Sequence, residues 1–192
     1  AASFSDPFYS PGSDFIALDN DFVTDLITRD GRGESIDEAA EIYNEYLLFR
    51  HEAAMKLYRG QYSLFGSYDL FKAKWELDIG CYYNLWLDEY LAERHLSITY
   101  LKGQLRQKDR TLHVLDKFAD LFATVEAKLR ADGNYYRNNL GAFTGSFDGM
   151  ARVAELGRTS SARDAFMHTH KVFNAARAQA LGLLLDEPSL SS

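Results

Sequence analysis

The sequence predicts a mainly α-helical protein, and three observations carry that prediction. Apolar residues recur every three or four positions through most of the chain, the signature of one helix face turned to a core. No stretch alternates apolar and polar residues as a half-buried strand would. With only 3 Pro and 13 Gly in 192 residues, and plentiful aromatics, the chain does not read as disordered.

The elements follow in order. Residues 1–12 are rich in Ser, Pro, Phe and Gly and read as a loop. From about Ser13 to Arg29, Phe15, Leu18, Phe22, Leu26 and Ile27 share a face, and Gly31 and Gly33 end that helix. Ser35 and Glu38 have the spacing of a capping box ahead of a helix from about 36 to 59, with Ile36, Ala40, Tyr43, Leu47, Ala54 and Leu57 on its apolar side. After a break at Gly60–Gly66, one long helix is expected to about His95. Phe71, Trp75, Ile79, Tyr82, Trp86 and Tyr90 line one side of it, and this stripe is expected in the core. A short helix over Ile98–Leu105 and a longer one through Leu112, Leu115, Phe118, Phe122, Val125 and Leu129 come next. Residues 133–149 read as loop, with a short helix near 148–157. Ser161 and Asp164 then cap a final helix through Phe173, Ala176, Ala180 and Leu184, ahead of a polar tail from Asp186.

Composition excludes several functions. The net charge is −7 and no run of Lys or Arg forms a basic face, which argues against nucleic-acid binding. No apolar run reaches membrane-spanning length. The single cysteine, Cys81, lies in an apolar helical stretch and reads as a small buried hydrophobe; with no second thiol, the composition suits a reducing, cytoplasmic compartment. None of the five histidines follows a Glu by three positions, so a di-iron helical site is not expected. His168 and His170 are two apart on a helix and face different ways, so no metal site is expected there either. His51, His95 and His113 read as surface or boundary residues, and Glu76 and Asp78 as the hydrophilic edge of the long helix.

The most informative stretch is Phe4-Ser5-Asp6-Pro7-Phe8-Tyr9-Ser10-Pro11-Gly12, which fits F-x-x-P-x-x-S-x-G at every fixed position and runs straight into a helix. It resembles the signature of flavin-dependent halogenases, which share the FAD fold of aromatic hydroxylases. The resemblance continues through Ser13-Asp14-Phe15-Ile16-Ala17, and more loosely through Leu57-Tyr58-Arg59-Gly60-Gln61-Tyr62 to about residue 95. In that family a Gly-Asp pair precedes the motif. The sequence opens at Ala1-Ala2, where such a pair would have ended, so upstream sequence is expected.

The resemblance implies that residues 1–30 are the last FAD-contacting loop and helix of a truncated Rossmann-like FAD domain. Residues 31–185 would then form a helical C-terminal domain, with 186–192 a disordered tail. It implies an FAD-dependent halogenase or aromatic monooxygenase acting on a small or carrier-bound organic substrate through a flavin hydroperoxide. A flavin reductase or NAD(P)H would supply the electrons. Pro7, Ser10, Pro11, Gly12, Ser13 and Asp14 are the implied cofactor-binding residues. A helix N-terminus presents backbone N–H groups to an electron-rich edge, and a glycine lets that edge come close. Tyr9 stands where tryptophan halogenases carry a substrate-positioning Glu, and Pro11 removes one halide donor, so tryptophan is not the implied substrate. Catalytic residues are not identifiable, because the family's lysine and its G-x-G-x-x-G turn lie ahead of this motif. Apolar surface at Phe4, Phe8, Phe15 and Phe22 is expected to be exposed where an FAD domain would pack. The other reading is a non-enzymatic helical interaction domain.

Overall fold

A computed structural model describes residues 9–140 and 161–185. The fold is mainly α, with no strand among the described residues. The helices are α1 (Gly12–Gly31), α2 (Asp37–Tyr58), α3 (Tyr68–Cys81), α4 (Asp88–Leu91), α5 (Ile98–Leu105), α6 (Lys108–Ala131) and α7 (Ala162–Leu184). A π-helical segment, Tyr82–Leu87, joins α3 to α4, and short 3-10 turns lie at Tyr62–Gly66 and Arg94–Leu96. Pro7, Phe4, Phe8, the helix expected near 148–157 and the tail after Leu185 lie outside the described residues. The chain divides into two compact units: 9–58 with 93–116, and 59–92 with 117–140 and 161–185. Helix α6 runs through the division.

In the first unit α1 lies on α2. The Phe22 ring stacks on Tyr43 with centroids 4.1 Å apart and meets Tyr46 edge-on at 6.4 Å. Phe22 is therefore buried, not exposed as expected, and Phe15 is half-buried. The buried face of α2 is Ala39, Tyr43, Tyr46, Phe49, Ala53, Ala54, Leu57 and Tyr58, while Leu47 is only half-buried. Large flat rings cover more of Phe22 than a leucine would, and that turns α2 slightly from the predicted face. Helix α1 stops where Gly33 takes φ +75°, a left-handed conformation that glycine adopts without a Cβ penalty.

Beside the buried Leu18 and Phe22, α1 carries two half-buried carboxylates, Asp21 and Asp25. Tyr43 Oη and Arg29 Nε both donate to Asp25 Oδ2, at 2.6 and 2.5 Å. Burial works to raise the Asp25 pKa, but these two hydrogen bonds outweigh it and hold the carboxyl below the usual carboxylate range. Burial and the hydrogen bond to Asp25 push the Tyr43 hydroxyl well up. One turn away Asp21 Oδ2 lies 3.0 Å from His95 Nε2. His95 is 2% exposed, which corrects the boundary position expected for it: its carboxylate partner lets the imidazole go inside. Glu38 accepts from Lys102 Nζ of α5, and Lys56 reaches Asp116 at 2.7 Å.

In the second unit Phe118, Phe122, Val125, Leu129, Val172, Ala176 and Ala180 are buried core residues. The predicted Ser161–Asp164 capping box is present, with Asp164 N–H to Ser161 Oγ at 3.2 Å and Ser161 N–H to Asp164 Oδ2 at 3.1 Å. Helix α3 starts differently. Ser67 gives it no side-chain cap, and Asn139 does so from far along the chain. Its Oδ1 accepts from Tyr68 N–H at 2.9 Å and its Nδ2 donates to Gly66 C=O at 2.7 Å. Asn139→Ala is expected to lower stability by about 1–2 kcal/mol, the worth of a lost cap and its second bond. Urea denaturation followed by circular dichroism measures it; a change within about 0.3 kcal/mol would show that the cap contributes nothing.

Candidate functional site

The candidate cofactor residues lie at the start of α1. Ser10 is exposed with φ +53°, Pro11 is buried, and Gly12 begins the helix. The turn is held by Ser13 Oγ, which donates to Ser10 C=O at 3.3 Å. The first helical bond runs from Phe15 N–H to Pro11 C=O at 3.1 Å, so the N–H groups of Gly12, Ser13 and Asp14 precede the helical ladder. Pro11, the N-cap residue, gives no side-chain cap bond. Asp14 places a carboxylate in the first turn, where it offsets the positive end of the helix dipole. That charge disfavours an anion here and leaves a neutral carbonyl edge as the better match to these N–H groups.

Gly12 is helical, so a left-handed turn is not its reason for being glycine. A Cβ built on it meets no described atom within 4 Å. Neither φ nor crowding within the described chain asks for glycine at this position, as at Gly31 and Gly182.

Helix α2 lies along the same loop. Tyr9 stacks on Tyr58 with centroids 4.4 Å apart, and the Phe15 ring packs against His51 at 5.8 Å. His51 Nε2 is buried without a hydrogen-bond partner. Arg50 Nε and His95 Nδ1 in the same unit are likewise buried without a hydrogen-bond partner. Nothing in sequence spacing singles out His51, because its neighbours come from another helix.

The outer side of α1 carries apolar residues among exposed Asp14, Asp19 and Asp30. Ile16, Val23 and Ile27 are exposed, and the hydroxyls of Thr24 and Thr28 donate to the carbonyls of Asn20 and Thr24, each at 2.7 Å. Its buried residues, Leu18 and Phe22, are apolar, as usual for a surface helix, and Ile16, Val23 and Ile27 are apolar residues left outside in addition. The apolar surface expected at Phe15 and Phe22 is found instead at these residues.

In the second unit, α3 carries charge inside. Lys74, Glu76 and Asp78 are 0%, 2% and 4% exposed, and Lys74 Nζ donates to Asp78 one turn on. This corrects the hydrophilic edge expected for Glu76 and Asp78. Asp88 and Glu89 of α4 are buried too. The aromatic stripe expected in the core is only half-buried at Phe71, Trp75, Tyr82, Trp86 and Tyr90. The π segment is marked by Asp88 N–H bonding Tyr83 C=O, five residues back, and Asn84 Nδ2 donates to Gly80 C=O at 2.8 Å. Such segments are rare and recur at functional sites, yet no sequence pattern announces one. Cys81 is buried as expected, and burial raises its thiol pKa.

Among the described residues no three or more His, Cys, Asp or Glu gather as a metal site would require. His168 is half-buried and His170 exposed, with Thr169 buried between them. No described helix is long and apolar enough to cross a membrane. Comparison with known proteins found no matching family model, no matching curated protein and no matching solved structure.

Proposed function

We propose that this chain belongs to an FAD-dependent oxidoreductase of the halogenase and aromatic-monooxygenase type, with the start of α1 at the isoalloxazine edge of the flavin. The observation that carries the reading is Gly12: a helical glycine, bare of described neighbours within 4 Å, at the last fixed position of F-x-x-P-x-x-S-x-G. The residues fit the group. Three backbone N–H groups precede the helical ladder at the exposed start of α1, which suits the electron-rich edge of a flavin. Bound FAD would supply oxygen activation for oxidising or halogenating a small or carrier-bound organic substrate, with a flavin reductase or NAD(P)H as electron source. The chain's own part is to orient the flavin edge and to exclude water from it. Pro11, which has no N–H, and the charge of Asp14 favour oxygenation over halide binding. No G-x-G-x-x-G turn occurs in the sequence, so these residues would meet the flavin ring and not its pyrophosphate.

Gly12→Val in the full-length protein tests this. A side chain there is expected to weaken FAD binding at least about tenfold, or about 1.4 kcal/mol. Gly12→Ala should fall between, and the helical circular-dichroism signal should stay unchanged, because a Cβ meets nothing in the described chain. Undiminished FAD affinity and turnover in Gly12→Val would remove the flavin-contact role. The exposed arc of Ile16, Val23 and Ile27 favours a second reading, a helical interaction domain without a cofactor. Absence of FAD binding by the full-length wild-type protein would select it.

A further inference from the structure

We propose that the outward stripe of α1 docks a cationic amphipathic helix of a partner protein, one with an apolar row flanked by Lys or Arg. The inference concerns a surface and not a flavin contact, so it stands whether or not FAD binds. The stripe is Ile16, Asp19, Val23, Ile27 and Asp30, which follow one another at helical spacing. At about 100° per residue they fall within an arc about 80° wide, and at the helical rise they span about 21 Å. Ile16, Val23 and Ile27 are 53%, 47% and 68% exposed, and both carboxylates are exposed. A single exposed aliphatic side chain is ordinary on any surface, whereas a row of them along one helix face is what a partner helix reads.

Charge decides what the occupant is. Among the described residues, the side chains of Asp19 and Asp30 make no ion pair and no hydrogen bond. The half-buried carboxylates of the same helix do: Asp21 meets His95 and Asp25 meets Arg29. The Lys and Arg residues between 9 and 58 are all engaged. Arg29 is on Asp25, Arg32 lies 3.9 Å from Glu34, Arg50 donates to Tyr46, and Lys56 holds Asp116. The stripe therefore offers unmet negative charge beside exposed apolar surface, and its electrostatic complement is a cation carried on an apolar face.

The same charges disfavour other occupants. Two copies of the stripe would bring carboxylates together, and nucleic acid or an anionic lipid surface would be repelled. Lys and Arg match it best, because their aliphatic stems can lie on Ile16, Val23 and Ile27 while their charged heads reach Asp19 and Asp30. The contact is small beside the roughly 800 Å² per partner of a standard interface, so the docking is weak, with a Kd on the order of 10–100 μM.

The test titrates the full-length protein into a fluorescein-labelled Leu-Lys amphipathic helical peptide of about 18 residues and reads anisotropy, with a Leu-Glu peptide of the same pattern as control. The Leu-Lys peptide is expected to bind at least about tenfold more tightly than the control. Val23→Ser with Ile27→Ser, and Asp19→Asn with Asp30→Asn, should each weaken it at least about fivefold with the melting temperature unchanged, because these side chains are exposed. If the Ser pair does not fold, Ile27→Ser alone is judged by the same measurement. Raising NaCl to about 0.5 M should weaken binding by the wild type and change the Asn pair little. Glu41→Gln with Glu45→Gln, exposed carboxylates of α2, should change binding less than about twofold. Equal binding of the two peptides overturns the proposal. So does an equal loss in the α2 variant, which would be general attraction to an acidic protein. Concentration-dependent dimerisation abolished by Ile27→Ser assigns the stripe to a second copy and also overturns it. FAD binding is read separately through Gly12→Val, so each of these failures leaves the flavin reading standing.

Discussion

Placing a side chain at Gly80 is expected to destabilise the second unit more than any other glycine substitution in the described chain. A Cβ built there lies 2.0 Å from Val172 Cγ1 and 2.9 Å from Val172 Cβ and Cγ2. The obstacle is a β-branched residue, stiff at χ1, on the facing helix α7. Elsewhere in a helix, Gly→Ala gains up to about 1 kcal/mol of propensity. Here overpacking reverses the sign, and Gly80→Ala should lose about 1–3 kcal/mol. Gly80→Leu should lose more than about 4 kcal/mol, the range reserved for severe core damage. Val172→Ala removes the nearest methyl group and should recover part of the loss. The coupling between the two sites should exceed about 1 kcal/mol in a double-mutant cycle. Denaturant unfolding measures each variant; a stabilised Gly80→Ala would show that α3 and α7 do not approach as described.

The second large effect belongs to the buried ion pair of α3. The side chains of Lys74 and Asp78 are 0% and 2% exposed. Lys74→Met keeps the length of the side chain and removes the cation beside a buried carboxylate. Breaking such a pair from one side costs about 3–5 kcal/mol. Replacing both partners, as in Lys74→Met with Asp78→Leu, should come back towards wild-type stability, because the desolvation penalty disappears with the charges. Salt separates this pair from exposed ones. Raising NaCl to about 1 M should leave the Lys74 effect intact, since a buried pair is little screened, and should weaken Lys102–Glu38, where Glu38 is 69% exposed. A loss below about 1 kcal/mol in Lys74→Met would contradict the burial of the pair.

The buried charges also bear on function. Proteins hold groups that cost stability mostly where something other than stability is selected. Lys74, Glu76, Asp78, Asp88 and Glu89 sit on a helix interrupted by a π segment. The predicted cofactor residues Ser10, Pro11, Gly12, Ser13 and Asp14 are consecutive, so a sequence motif could display them as a set. His51 is far from them in sequence and reaches Phe15 only through the packing of α2 on α1.

What the sequence by itself determined is local. The mainly α class followed from three- and four-residue spacing, the end of α1 from Gly31 and Gly33, and the start of α7 from the Ser161–Asp164 box. Each of these depends on residues within a turn or two of one another, where backbone geometry alone links sequence to structure. Tertiary structure decided which arc of each helix goes inside. Helix α3 carries apolar residues around most of its surface, so periodicity says that it is a helix without saying how it is rotated. The rotation seen buries Lys74, Glu76 and Asp78 and leaves Trp75 half-exposed. His95 went inside because Asp21, 74 residues earlier, was brought 3.0 Å from its ring. A partner lowers the cost of burying a polar group, and partners distant in the chain are chosen by packing, which no local pattern records.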